Sequence, residues 1–233
     1  MELEDGKFVH ELLATWYRTH GLPLDERLEV VTDLLQSSCS TTTYEVPNGK
    51  RKRLYGPKLY QEVVNALVRE REDFDQVIDV EIPLTAKLGP YIFKGTIDLL
   101  AKTLGHVFVI DHKTTAGLGP VLLKQYLNSP QLIGYYYLAR ENGVRAAGAL
   151  YNFVVKTKDL YFFREPVLIT HKKVEMWKAF AIETIKRITT TNERLKNNYA
   201  CYSNVGSCPY ELLCKSDNWN LAVQQYERRE ELY

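Results

Sequence analysis

Between residues 76 and 113 the chain leaves helical patterning for three short segments rich in β-branched and aromatic residues, near 77–84, 91–101 and 106–113. Only Gly89-Pro90 and Leu104-Gly105 separate them. Connections this short join antiparallel neighbours, because a parallel crossover needs about a dozen residues or more. The stretch is therefore read as a three-stranded antiparallel meander, and a sheet must bury its apolar face against other elements.

The flanking sequence provides them. Residues 6–19 carry Val9, Leu12, Leu13 and Trp16 on one helical face, and Leu24, Leu28, Val31 and Leu34 mark a second helix. A third is expected over 57–72. Between them, residues 41–56 are polar and place Lys50, Arg51, Lys52 and Arg53 beside Pro47 and Gly49, which reads as an exposed loop. Ser129 and Pro130 form an N-cap and first helical residue, and Gly143 a stop, so a helix is expected over 131–142. Strands at 147–156 and 160–164 and a long helix over 171–195 complete the order. Helices, strands, helix, strands, helix predict an α/β sandwich with a central mixed β-sheet flanked by helices. The 233 residues fit one compact domain in three parts: a helical 1–75, a core over 76–168, and a C-terminal helix and cysteine segment over 169–233.

The formal charge is +1, so any attraction to polyanions must be local. No apolar run approaches the roughly 18 residues of a membrane span, and the first residues lack the basic and apolar regions of a signal peptide, which reads as intracellular. The Gly-Lys pair Gly49-Lys50 is followed by Arg51, and Gly6-Lys7 by Phe8, so neither has the Ser or Thr of a Walker-type phosphate loop.

Charged residues in the meander carry the chemistry. A hairpin turning symmetrically about Leu104-Gly105 sets Asp98 opposite Asp111, with Cβ atoms about 4.5 to 5.5 Å apart on one face. An odd-length turn would shift this register. Two carboxylates so close repel, unless one is protonated or a cation neutralises both. Mg²⁺ suits such a pair, since it takes one or two carboxylates and completes its shell with water and phosphate oxygens. Lys113 lies two residues beyond Asp111 on the same strand face, and His112 points to the other. Ile97, Leu99, Leu100, Phe108, Val109 and Ile110 surround the acids, and charges in such company need a partner or a metal. The plainer reading makes the acids solvated strand-end residues with Lys113 paired to one of them. Glu81, in the strand before Asp98, could be another acid near the site, although a solvated strand residue is the more common case.

These motifs resemble, in order, those of the RecB-like branch of the PD-(D/E)xK nuclease superfamily, which includes phage exonucleases and CRISPR-adaptation nucleases. Gly6 and His10 in GKFVH resemble its first helical motif, GTID ending at Asp98 its acidic motif, and IDHKT with Asp111 and Lys113 its core motif. Gln131 and Tyr135 in QLIGY resemble its Q-x3-Y motif, whereas Tyr136 and Tyr137 read as packing. The resemblance implies a restriction-endonuclease-like fold and a metal-dependent deoxyribonuclease. His10, Asp98 and Asp111 would ligate Mg²⁺ or Mn²⁺, and Lys113 would serve the hydrolytic water. Gln131 and Tyr135 would position substrate or Lys113.

Cys201, Cys208 and Cys214 resemble the C-terminal triad that binds a [4Fe-4S] cluster in part of that family, with Cys39 as the remaining fourth thiolate. In the relatives the first cysteine precedes the motif histidine, whereas Cys39 follows His10; either the order differs or an N-terminal segment is missing. Zinc and free buried thiols stay open as alternatives. Lys50 to Arg53 with Tyr55, and Lys156 and Lys158, could meet a phosphate backbone, although a charge run is more often a solvated loop. The expected function is a DNA nuclease acting on single-stranded ends in recombination, repair or CRISPR adaptation, in the cytoplasm of a bacterium or a phage-infected cell. Two other classes remain: a DNA-binding assembly subunit with recombination or CRISPR protein partners, and a zinc-stabilised interaction domain.

Overall fold

The sheet is built outward from the meander. In the computed structural model, which describes residues 2–38, 56–69, 74–157, 159–190, 202–203, 206–208 and 210–226, the meander comprises β1 (Gln76–Leu88), β2 (Tyr91–Thr103) and β3 (His106–Thr115). Residues 104 and 105 form the turn between β2 and β3, Leu104 at φ 51° and Gly105 at φ 79°. Two left-handed central residues match the right-handed twist of the strands, and such a turn fixes the register. Leu99 pairs with Ile110, Leu100 with Val109 and Thr103 with His106, which is the symmetric register. In β1 the register slips by one residue between Val77 and Asp79, a β-bulge.

Two more strands extend the sheet, β4 (Gly148–Val155) parallel to β3 and β5 (Tyr161–Val167) antiparallel to β4, giving the order β1-β2-β3-β4-β5. This mixed five-stranded sheet flanked by helices is the expected fold class. Every residue of β4 is buried, as befits a strand covered on both faces. The crossover from β3 to β4 carries α4 (Pro120–Leu127) and α5 (Pro130–Glu141). Ser129 caps α5 by accepting from the Gln131 N–H. By contrast α4 follows Gly119 without a side-chain cap and buries none of its residues, so its sequence offers Pro120 at the first helical position but no capping side chain and no buried stripe.

On one sheet face lie α1 (Glu2–Arg18), α2 (Leu24–Ser38) and α3 (Gly56–Arg69). Val9, Leu12, Leu13 and Trp16 of α1 and Leu59, Val63 and Leu67 of α3 pack against Leu99, Ala101, Ile110 and Val154. Two polar contacts fix α1 along its length. The buried Asp5 accepts from the Gly56 N–H and the Tyr60 hydroxyl, at 3.1 and 2.8 Å. The Arg27 guanidinium lies 3.7 Å from the Trp16 ring centroid and donates to the Trp16 carbonyl. On the other face Leu132, Tyr136 and Ala139 of α5 meet Leu100, Val109, Ala149 and Tyr151. The helix α6 (His171–Thr190) covers the outer end of the β1–β2 hairpin, where Trp177 packs with Leu88 and Tyr137.

The chain divides into two units, Met1–Ile188 and Thr189–Tyr233. Within the second, β6 (Tyr202–Ser203) and β7 (Gly206–Ser207) form a small hairpin, followed by α7 (Glu211–Lys215) and α8 (Trp219–Val223). No helix among the described residues is long and apolar enough to cross a membrane.

Candidate active site

The site lies where β2 and β3 part. Their ladder ends at Leu99–Ile110; beyond it β2 continues against β1, and β3 against β4. Asp98 and Asp111 are the first residues past the last pair. The Asp98 carboxylate fills the place of the missing ladder bond, its Oδ2 accepting the His112 backbone N–H at 2.8 Å. Asp111 is buried, and its Oδ2 lies 2.6 Å from Lys113 Nζ.

From the α1 side, His10 Nδ1 comes within 3.4 Å of Asp98 Oδ2. Glu81 joins from β1, and ligand atoms of His10, Glu81 and Asp98 all lie within 4.8 Å of one another. The sequence favours a solvated Glu81 over a further acid near the site; it is half-buried inside this cluster. Its backbone takes φ 54°, a left-handed conformation in the middle of a strand, which turns the side chain toward Asp98. No sequence pattern signals a glutamate held this way. The three residues line a cleft of about 570 Å³ whose wall is the Lys7–Arg18 face of α1.

Burial dominates the electrostatics. It pushes Asp98 up to about 6, against the pull of the His112 N–H, with Glu81 adding to the rise. Asp111 is pushed up to about 6 by burial and by Asp98, and Lys113 pulls the other way. Glu81 is also raised by burial, with Arg18 opposing. His10 is lowered, chiefly by burial, which keeps its imidazole neutral and able to ligate. These directions describe negative charge confined in a place that disfavours it, and a divalent cation would relieve that confinement. The donors, one imidazole nitrogen and carboxylate oxygens, fit Mg²⁺ or Mn²⁺.

From the α5 side, Tyr135 accepts a hydrogen bond from Gln131 Nε2 at 3.0 Å, one helical turn away. Burial raises the Tyr135 hydroxyl; Gln131 opposes the rise, Asp111 and Asp98 add to it, and Lys113 opposes it, so the ring lies within electrostatic reach of the acids. Gly95 of the GTID motif makes this possible: a Cβ there would lie 3.0 Å from the Tyr135 ring. His112 points away from the cleft. Its ring is fully buried, stacks on Tyr17 with centroids 5.6 Å apart, and meets Asn152 through Nδ1 at 3.2 Å. Burial holds its pKa well below the usual value, so it stays neutral.

Other candidates are not brought together here. Lys156 is buried at the end of β4 and so offers no exposed cation to a phosphate backbone. Lys50 to Arg53, Tyr55, Lys158, Cys39 and Cys201 lie outside the described residues. Cys208 and Cys214 are partly buried, and neither forms a disulfide among the described residues.

Among solved structures, the chain is similar to a presumed exonuclease from Eubacterium rectale, at 13% identity and TM-score 0.48, covering 89% of this chain and 79% of that one. It is also similar to the protein SSO0001, at 15% identity and TM-score 0.36, covering 83% and 79%. No curated protein matches its sequence. A family model of the PD-(D/E)XK nuclease superfamily matches residues 1–215, nearly the whole length, and the chain belongs to that superfamily.

Proposed function

We propose that this protein is a divalent-metal-dependent deoxyribonuclease that hydrolyses phosphodiesters at the fork between β2 and β3. One observation carries the reading: the buried Asp111 and the partly buried Asp98, both pushed up to about 6, sit at the fork with Lys113 paired to Asp111, while His10 and Glu81 join Asp98 at the cleft. A structural ion pair needs one acid and one base, whereas this cluster confines three acids.

His10, Glu81 and Asp98 would hold the cation, with Asp111 beside them. Bound there, Mg²⁺ or Mn²⁺ would lower the pKa of a water and polarise a phosphoryl oxygen. Lys113, fixed by Asp111, orients the attacking water and faces the negative charge that develops on phosphorus, a role worth on the order of 3 kcal/mol for one such group. Tyr135, oriented by Gln131, positions a substrate oxygen near the acids. Water adds to phosphorus, the bond to the 3′ oxygen breaks, and that oxygen takes a proton, leaving a 5′-phosphate and a 3′-hydroxyl. A preference for single-stranded ends, and a role in recombination, repair or CRISPR adaptation, follow from the motif resemblance. So does a [4Fe-4S] cluster on Cys39, Cys201, Cys208 and Cys214, which iron and sulfide content after anaerobic purification would decide.

The test is cleavage of labelled single- and double-stranded DNA with Mg²⁺, Mn²⁺ or EDTA. Native protein should cut only with metal, and Lys113→Ala and Asp111→Ala should each cut about 10² or more times slower. Cleavage at near-native rates after either substitution would refute the assignment.

A further inference from the structure

Besides its acids, the cleft is lined by two cations that the proposed chemistry does not use, Lys7 and Arg18. Both are exposed residues of α1, and among the described residues neither forms an ion pair. Lys7, His10, Ala14 and Arg18 follow one another at helical spacing along one wall. A helix rises about 1.5 Å per residue, so Lys7 stands about 4.5 Å along the axis from His10, and Arg18 about 12 Å on the other side. Ala14, lining the cleft between them, leaves that span clear of a large side chain. Glu11, on the same wall, repels phosphate and keeps the backbone contacts to the two ends.

We infer that this face of α1 is a rail for single-stranded DNA, with Lys7 gripping the phosphate at the scissile bond and Arg18 a phosphate farther along the strand. The inference rests on the nuclease reading for the place of the scissile bond. A stacked strand advances about 3.4 Å per nucleotide, so 12 Å puts the Arg18 contact about three to four nucleotides from the cut. The acids would not exclude a polyanion from this groove, because the divalent cation they would hold, together with Lys113, would offset their charge. Arg18 thereby becomes a residue that measures strand length, and Lys7 one that does not.

Binding and cutting are read separately. In a Lys113→Ala background with Mg²⁺, oligothymidylates from two to twelve nucleotides are titrated by fluorescence anisotropy at several salt concentrations, with Arg18→Ala, Arg18→Lys and Lys7→Ala added in turn. Arg18→Ala should leave dinucleotide binding unchanged and weaken octanucleotide binding about tenfold, with the salt slope falling by about 0.7. Arg18→Lys should restore the slope. Lys7→Ala should weaken all lengths alike. In the cutting-competent protein, Arg18→Ala should raise KM for long strands and leave kcat unchanged. An equal Arg18→Ala effect at every length, or an unchanged salt slope, overturns the rail. A shift confined to the Mg²⁺ midpoint also overturns it, and reduces Arg18 to a counter-charge for Glu81. If native protein binds strands with the expected length dependence but never cuts, the nuclease reading fails and the rail stands.

Discussion

The two ends of the β2–β3 hairpin are built on opposite principles. Toward the turn, five residue pairs form a regular ladder whose side chains, Leu99, Ala101, Ile110, Leu100 and Val109, go alternately into the two cores. Past Leu99–Ile110 the ladder stops, and the buried Asp111 with the partly buried Asp98 and Lys113 follows instead. The first end gains from burial; the second gives up backbone bonds and confines charge. Such a concession persists in a folded chain when function requires it. The contrast teaches that the turn supplies register and the fork spends it, because only a rigid ladder can hold two carboxylates at a fixed separation.

The largest effect that would break this comparison is chemical. Lys113→Ala should lower the cleavage rate by 10² to 10³ or more, about 3 kcal/mol of barrier, while strand binding changes little; near-native rates would reduce the fork to a structural ion pair.

A second effect sharpens it through pH. Asp98 and Asp111 ionise near 6 in the folded chain and near 3.8 when unfolded. Between those values the folded state holds protons the unfolded state has released, so metal-free stability falls as pH rises from about 4 to 6. The loss should amount to about 2 to 4 kcal/mol for the coupled pair, read from denaturant melts in EDTA, and Mg²⁺ at pH 7 should recover part of it. Asp111→Asn should stabilise the metal-free chain at pH 7 even as it stops cleavage. Melts independent of pH would mean the acids are solvated after all.

Glu81 offers a third way in. Left-handed backbone costs a β-carbon-bearing residue about 1 to 2 kcal/mol, partly offset by the entropy glycine loses on folding. Glu81→Gly should therefore be about 1 kcal/mol more stable than Glu81→Ala, and both should weaken Mn²⁺ binding equally, as calorimetry would show. The smallest effect belongs to the turn. Leu104 is 88% exposed at φ 51°, and Leu104→Asn should stabilise by about 0.5 to 1 kcal/mol without touching cleavage. A change in rate would show that the ladder transmits strain to the fork.

Much of this was legible because the information is local. Leu104-Gly105 sets the register, and the register puts Asp98 and Asp111 at corresponding positions. Lys113 shares the Asp111 face by strand periodicity alone, and Ser129-Pro130 announces α5. What escaped is not local. The point where β2 and β3 part depends on which neighbour each strand keeps, and nothing in GTID or IDHKT marks it. Glu81 reads as an alternating strand residue until its backbone turns left-handed, and α4 has neither cap nor buried stripe. The Lys7–Arg18 wall becomes a wall only once α1 docks.

That docking gives the site a history in folding. The acids belong to a hairpin that closes over a few residues, whereas His10 reaches Asp98 across most of the N-terminal half of the chain. Contacts of short sequence separation form first and long ones last, so the carboxylates are set before the imidazole arrives. A cation held by both would lock the first helix onto the meander. Chelation should then loosen α1 well before the sheet, visible as faster amide exchange in residues 6–18 while β2 and β3 stay protected.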